Sequence, residues 1–149
     1  MKLANIIKVN VFCKSEDSEE LILQRLRTFF PFSLEEEKIP IAGTKAAGFN
    51  EREIKVIEVV LEKDRHINAF LEHLAGMLSP EQKTLLIRQL DTRIDDDLDF
   101  FLRFDKDKLL NDNVLWITDG GNCFHIKVSI AAFPRKKEIG AQIIEKVFK

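Results

Sequence analysis

Two stretches near opposite ends of the chain alternate apolar and polar residues: IIKVNVF (Ile6–Phe12) and CFHIKVSI (Cys123–Ile130). A period of two belongs to a strand, whose successive side chains point to opposite sides. Ile7, Val9 and Val11 therefore share one face of the first strand, and Phe124, Ile126, Val128 and Ile130 one face of the second. Such a face has to be buried, and the segments between the two strands carry helical patterns that can do it. That points to an α+β architecture, an antiparallel sheet with helices packed on it.

Ser15 or Ser18 caps a helix running to about Phe30, with Glu16, Asp17, Glu19 and Glu20 suited to its positive end and Pro31 ending it. Two strands follow, one broken by Pro40 and one from about Glu53 to Glu62, with the turn expected at Gly48-Phe49-Asn50. A helical hairpin comes next. Its first arm runs from about Arg65 to Leu78. Its second opens at SPEQ, with Ser79 as N-cap, Pro80 at the first helical position and Gln82 closing a capping box.

LDFFLRFD, NVLWITD and CFHIKVSIAA read as three consecutive strands, the last two joined by a tight turn at Asp119-Gly120-Gly121-Asn122. A final helix, Arg135 to Phe148, buries Ile139, Ile143, Ile144 and Val147. The expected order is β-α-β-β-α-α-β-β-β-α, a single domain over residues 1–149.

The same alternation that fills the core assigns a second face. Cys123, His125, Lys127 and Ser129 point away from Phe124 and its partners. With Phe100, Leu102 and Phe104 inward, Phe101 and Arg103 join that face, and Trp116 and Thr118 lie opposite Leu115 and Ile117. Rings interleaved with cations (Trp116, Phe101, His125, Arg103, Lys127) suit single-stranded RNA, because every base offers a stacking face and every phosphate a charge. Pattern alone favours the competing arrangement, in which the Arg65–Leu90 hairpin covers this face and turns its aromatics into core.

A net charge of −2 gives no global pull toward nucleic acid, so anion binding has to be local. From Gly121 onward six cations face only Glu138 and Glu145. Three of the six, Arg135, Lys136 and Lys137, stand where the last helix begins. That is the positive end of its dipole, so they are either solvated or awaiting an anion. The 32% of charged residues leans weakly toward a heat-adapted source.

Catalytic readings fare worse. Cys123 and His125 share a face, but nothing nearby supplies an oxyanion site. His66 and His73 are too far apart along one helix to share a metal, and His66 is expected to pair with Glu62 or Asp64. The run Asp91, Asp95, Asp96, Asp97 and Asp99 reads as a solvated acidic loop rather than a magnesium site. No catalytic residue, metal or cofactor is assigned. Cys13 and Cys123 make no disulfide framework, though a single bridge between neighbouring strands stays open. No apolar run approaches a membrane span and no signal peptide is visible, so a cytoplasmic location is expected.

GFNEREIKVIEVVLEKDRHINAFLEHL, RIDDDLDFFLRFDKDKLL and NCFHIKVSIAAFPRKKE together resemble a family of small archaeal RNA-binding proteins predicted to be exosome-associated. The resemblance spans nearly the whole chain. It implies a fold similar to that of the large-subunit ribosomal protein that binds 5S RNA; a likeness to double-stranded-RNA-binding domains has also been proposed. Where the family often has an acid before the Cys, this chain has Asn122. The expected function is non-catalytic RNA binding, as an accessory to RNA processing or degradation, with exosome or ribosomal components as partners and self-association open. The alternatives are a protein-interaction adaptor and, behind it, a metal-dependent nuclease or hydrolase.

Overall fold

The computed structural model describes residues 1–47 and 53–149, so the turn expected at Gly48-Phe49-Asn50 lies outside the described residues. The chain builds β1 (Ala4–Lys14), α1 (Glu19–Arg27), β2 (Ala42–Ala47), β3 (Glu53–Leu61), α2 (Asp64–Met77) and α3 (Pro80–Arg88). It continues through α4 (Leu90–Arg93), β4 (Asp99–Asp105), α5 (Lys106–Asp112), β5 (Cys123–Ile130) and α6 (Lys137–Phe148). The five strands form one antiparallel sheet in the order β2-β3-β1-β5-β4. The α+β class and the antiparallel sheet are as the alternation requires.

Register explains the core. Val9 stands opposite Val59 on one side and Ile126 on the other, so the odd residues of β1 share a face with the even residues of β5. Val11, Ile57, Phe100, Leu102, Phe104, Phe124 and Ile126 are all buried there. Helices α1, α2 and α6 pack on this face: Phe29, just past α1, packs on Phe104 and Phe124 with centroids 5.7 Å away. Phe148 of α6 packs on Phe100, and Phe70 of α2 on Phe30. Each fully buried ring contributes roughly 1.5–3 kcal/mol of transfer free energy.

Two local departures from the expected structure have physical causes. NVLWITD is not a strand. Asp105 caps α5 by accepting the Lys108 N–H, and Asn113, at φ 53, closes the helix. Only Ile117 then bridges to Phe104, flanked by Asp105 N–H to Trp116 O (2.8 Å) and Thr118 N–H to Arg103 O (2.9 Å). The second departure is at α3. Ser79 caps it as expected, accepting from the Gln82 N–H, but the Gln82 side chain does not return the bond. Its Oε1 instead accepts the buried Ile117 N–H at 2.7 Å, because leaving that donor unpaired in the interior is the costlier choice.

Of the three cations before the last helix only Lys137 is helical, with Lys136 as the N-cap. Ile144 of that helix is buried as expected, whereas Ile139, Ile143 and Val147 are half-buried. His66 is buried with its Nε2 3.4 Å from Glu37, not paired with Glu62 or Asp64. His73 lies 2.9 Å from the Thr28 carbonyl.

Candidate functional site

Because α1, α2 and α6 all pack on one side, the opposite face of the sheet is left open. The first arm of the Arg65–Leu90 hairpin does not cover it; α2 packs with Phe70 and Leu74 into the core on the other side, and only the stretch from Gln89 to Arg93 borders the open face, beside Phe101 and Arg103. Register then sets the open-face residues in rows. Asn10, His125 and Arg103 stand side by side across β1, β5 and β4, and the next row is Lys8, Lys127 and Phe101. The third is Ile6, Ser129 and Asp99. Trp116 and Thr118 extend the face beyond β4, since Ile117 between them turns into the core.

The five residues that alternation assigned to this face are therefore brought together. Trp116 is 48% exposed, and Lys108 Nζ lies 5.2 Å from its ring centroid. Phe101 and His125 are half-buried neighbours with centroids 5.7 Å apart. Arg103 is exposed and donates through Nη1 to the Asp119 carbonyl at 3.1 Å. Lys127 lies 3.5 Å from Asp99, whose other oxygen accepts the Ser129 hydroxyl at 2.7 Å. Burial first, then the charges of Arg103 and Lys127, hold His125 below its ordinary value of 6.5. At neutral pH it is an uncharged ring beside two cations, suited to stacking or to donating one hydrogen bond.

Sequence reasoning missed the β1 contribution: Lys8, Asn10 and the 48%-exposed Phe12. The same alternation puts them opposite Val9 and Val11, but nothing in it says that β1 is the neighbour of β5. Phe133, 93% exposed beside the basic run, was also passed over.

Arg135, Lys136 and Lys137 are exposed and form no ion pair among the described residues. They lie beyond the end of β5 at which Ser129 and Asp99 stand, where the Ala131 N–H bonds the Leu3 carbonyl. They are a second cationic area, separate from the Arg103–His125 row.

The residues behind the catalytic readings have other surroundings. Cys13 and Cys123 are both free and buried. Odd residues face the core in β1 and the open side in β5, so the two thiols point away from each other and cannot bridge. Burial pushes the Cys123 thiol up; Arg103 and Lys106 pull it back only in part, and Asp105 adds to the rise. Asp95, Asp97 and Asp99 bring carboxylate oxygens within 4.8 Å of one another. Those oxygens are at work in the turn: Asp95 Oδ1 accepts the Asp97 and Asp99 N–H groups, and Asp99 holds Ser129 and Lys127. Among the described residues no helix is long and apolar enough to cross a membrane.

Residues 6–131 match the model of a family described as RNA binding. The chain is 29% identical over 135 residues to RNA-binding protein PAB1135 of Pyrococcus abyssi, covering 91% of this chain and 87% of that one. Among solved structures it is similar to protein AF2318 of Archaeglobus fulgidus, with a TM-score of 0.83 and 26% identity over 97% of this chain and 99% of that one. Mth689 of Methanothermobacter thermautotrophicus shares the fold, with a TM-score of 0.78 and 23% identity over 99% and 100% of the two chains.

Proposed function

The chain belongs to the RNA-binding family, and on that premise we propose that it binds single-stranded RNA on the open face of its sheet. One observation carries the reading: α1, α2 and α6 all pack on the other side of the sheet, leaving Trp116, Phe101, His125, Arg103 and Lys127 at least partly exposed in adjoining rows. Unpaired bases stack on Trp116 and Phe101 while Arg103 and Lys127 meet phosphates, with Lys8 extending the cationic row onto β1. A duplex hides its bases, so it gains the phosphate contacts alone.

Arg135, Lys136 and Lys137 lengthen the backbone track past the end of β5. No residue of the chain is given a catalytic role. The finer reading is an accessory to RNA processing or degradation in the cytoplasm, in company with exosome or ribosomal components. The family resemblance of the sequence supports it.

A titration of the pure protein against single-stranded and duplex RNA at two salt concentrations tests this. Single-stranded RNA should bind more tightly, with affinity falling as salt rises because phosphate contacts release counterions. Absence of RNA binding at low salt would overturn the reading in favour of a protein-interaction adaptor.

A further inference from the structure

Arg93, the last residue of α4, is only 9% exposed, and its one carboxylate partner among the described residues is held loosely. Its Nε and Nη2 both donate to one neutral oxygen, Gln89 Oε1, at 3.0 and 2.5 Å. Its nearest anion, Asp119, is 3.7 Å away on a carboxylate that is 92% exposed. Its Nη1 makes no hydrogen bond among the described residues. Burial lowers the guanidinium from its ordinary value, Asp119 offsets this in part, and Arg103 lowers it further.

A buried cation held by a neutral amide is electrostatically incomplete. Arg103 flanks the same spot, since its Nη1 holds the Asp119 backbone carbonyl. Between them opens a polar cavity of about 430 Å³, lined by Gln89, Thr92, Arg93, Phe101, Arg103 and Asp119. That volume falls within the range of small-ligand pockets, roughly 300–1,000 Å³.

We propose that this cavity is a pocket for one nucleotide bearing a terminal phosphate, with the phosphate between Arg93 and Arg103 and the base against the Phe101 ring. For its polymer the inference rests on the RNA reading above; for its chemistry it rests on the pocket. Two guanidinium groups match the near-dianionic charge of a phosphate monoester, about twice that of an internal diester. The planar fork of arginine suits its oxygens. Asp119 occupies the anion position only loosely, from an exposed turn, and swings out when the phosphate enters. The pocket adjoins the Arg103–His125 row, so it takes the end of a strand whose following bases lie on the open face.

The test compares one single-stranded RNA sequence with a 5′-phosphate, with a 3′-phosphate and with neither, alongside AMP and inorganic phosphate alone. One phosphorylated end should bind about tenfold more tightly than the unphosphorylated RNA, the equivalent of one charge-assisted hydrogen bond. Arg103→Gln weakens all three RNAs, so the readout is the ratio, which should fall toward one. Asp119→Asn should raise it. Equal affinities for the three RNAs overturn the pocket and leave RNA binding standing. If no RNA binds, saturable AMP-induced NMR shifts at Arg93, Phe101 and Arg103 that exceed those from inorganic phosphate support the pocket alone; their absence overturns it.

Discussion

Gln82 and Ile117 are 35 residues apart in sequence, yet the Gln82 side-chain oxygen accepts the Ile117 N–H at 2.7 Å in the interior. A helix residue therefore fixes the short segment that presents Trp116. Gln82→Met keeps the volume and strands the N–H, which should cost about 1–3 kcal/mol in a urea melt. Trp116 is the only tryptophan, so its emission reports the segment directly. We expect the emission to shift to the red in the variant. An unchanged melt and spectrum would mean that the bond holds nothing.

Trp116→Ala separates binding from folding. At 48% exposure the ring leaves no closed cavity, so the melting temperature should barely move. Stacking is worth roughly 1–3 kcal/mol per base, so single-stranded RNA should bind about five- to a hundredfold more weakly. A stability loss of about 3 kcal/mol instead would show that the ring is core.

Replacing Arg135, Lys136 and Lys137 together by Ala tests the second cationic area. The slope of log affinity against log salt should flatten by up to about three counterions' worth, roughly 0.7–0.9 for each phosphate no longer met. Stability should hold or rise slightly, because cations at a helix start oppose its dipole. An unaltered slope would leave the run as solvated surface.

Lys106 is buried, and its Nζ donates to Asp17 and to the Phe12 carbonyl, each at 2.7 Å. Burial works to raise the Asp17 carboxyl, but hydrogen bonds from Lys106 and from the Lys14 N–H, with the two lysine charges, hold it below its ordinary 3.8. A depressed carboxylate contributes stability at pH values above its unfolded pKa, and that contribution is lost as pH falls through the lower folded value. Lys106→Met should cost about 3–5 kcal/mol at neutral pH. The gap from wild type should narrow below about pH 4. Parallel stability curves down to pH 2 would contradict this.

Alternation carried most of what was legible. It separated core from open face on β1, β4 and β5, and it placed His125, Lys127, Phe101, Arg103 and Trp116 together before any tertiary contact was known. It says nothing about which side the helices choose. That depends on Phe29, Phe70 and Phe148 all finding the same apolar face, a property of the assembled sheet. Nor does it give strand order, so Lys8 and Phe12 were not seen as neighbours of the β5 row.

Helix α5 was hidden because its charged residues have no clear apolar period; its signals are the Asp105 cap and the left-handed Asn113. Arg93 was hidden more deeply. Flanked by acids in DTRIDDD, it reads as one cation of a solvated loop, and only the fold reveals that it is buried beside an amide.

The position of β1 in the middle of the sheet has a consequence for how the protein is made. β1, made before both its neighbours, pairs on one side with β3 and on the other with β5, so Val9 waits for both Val59 and Ile126. A nascent chain that has emerged only through β3 presents β1 as an unfinished edge, its backbone donors and acceptors open to any passing strand. Folding is therefore paced by a distant pairing rather than by local helix formation. The arrival of β5 both completes the open face and covers the exposed edge of β1.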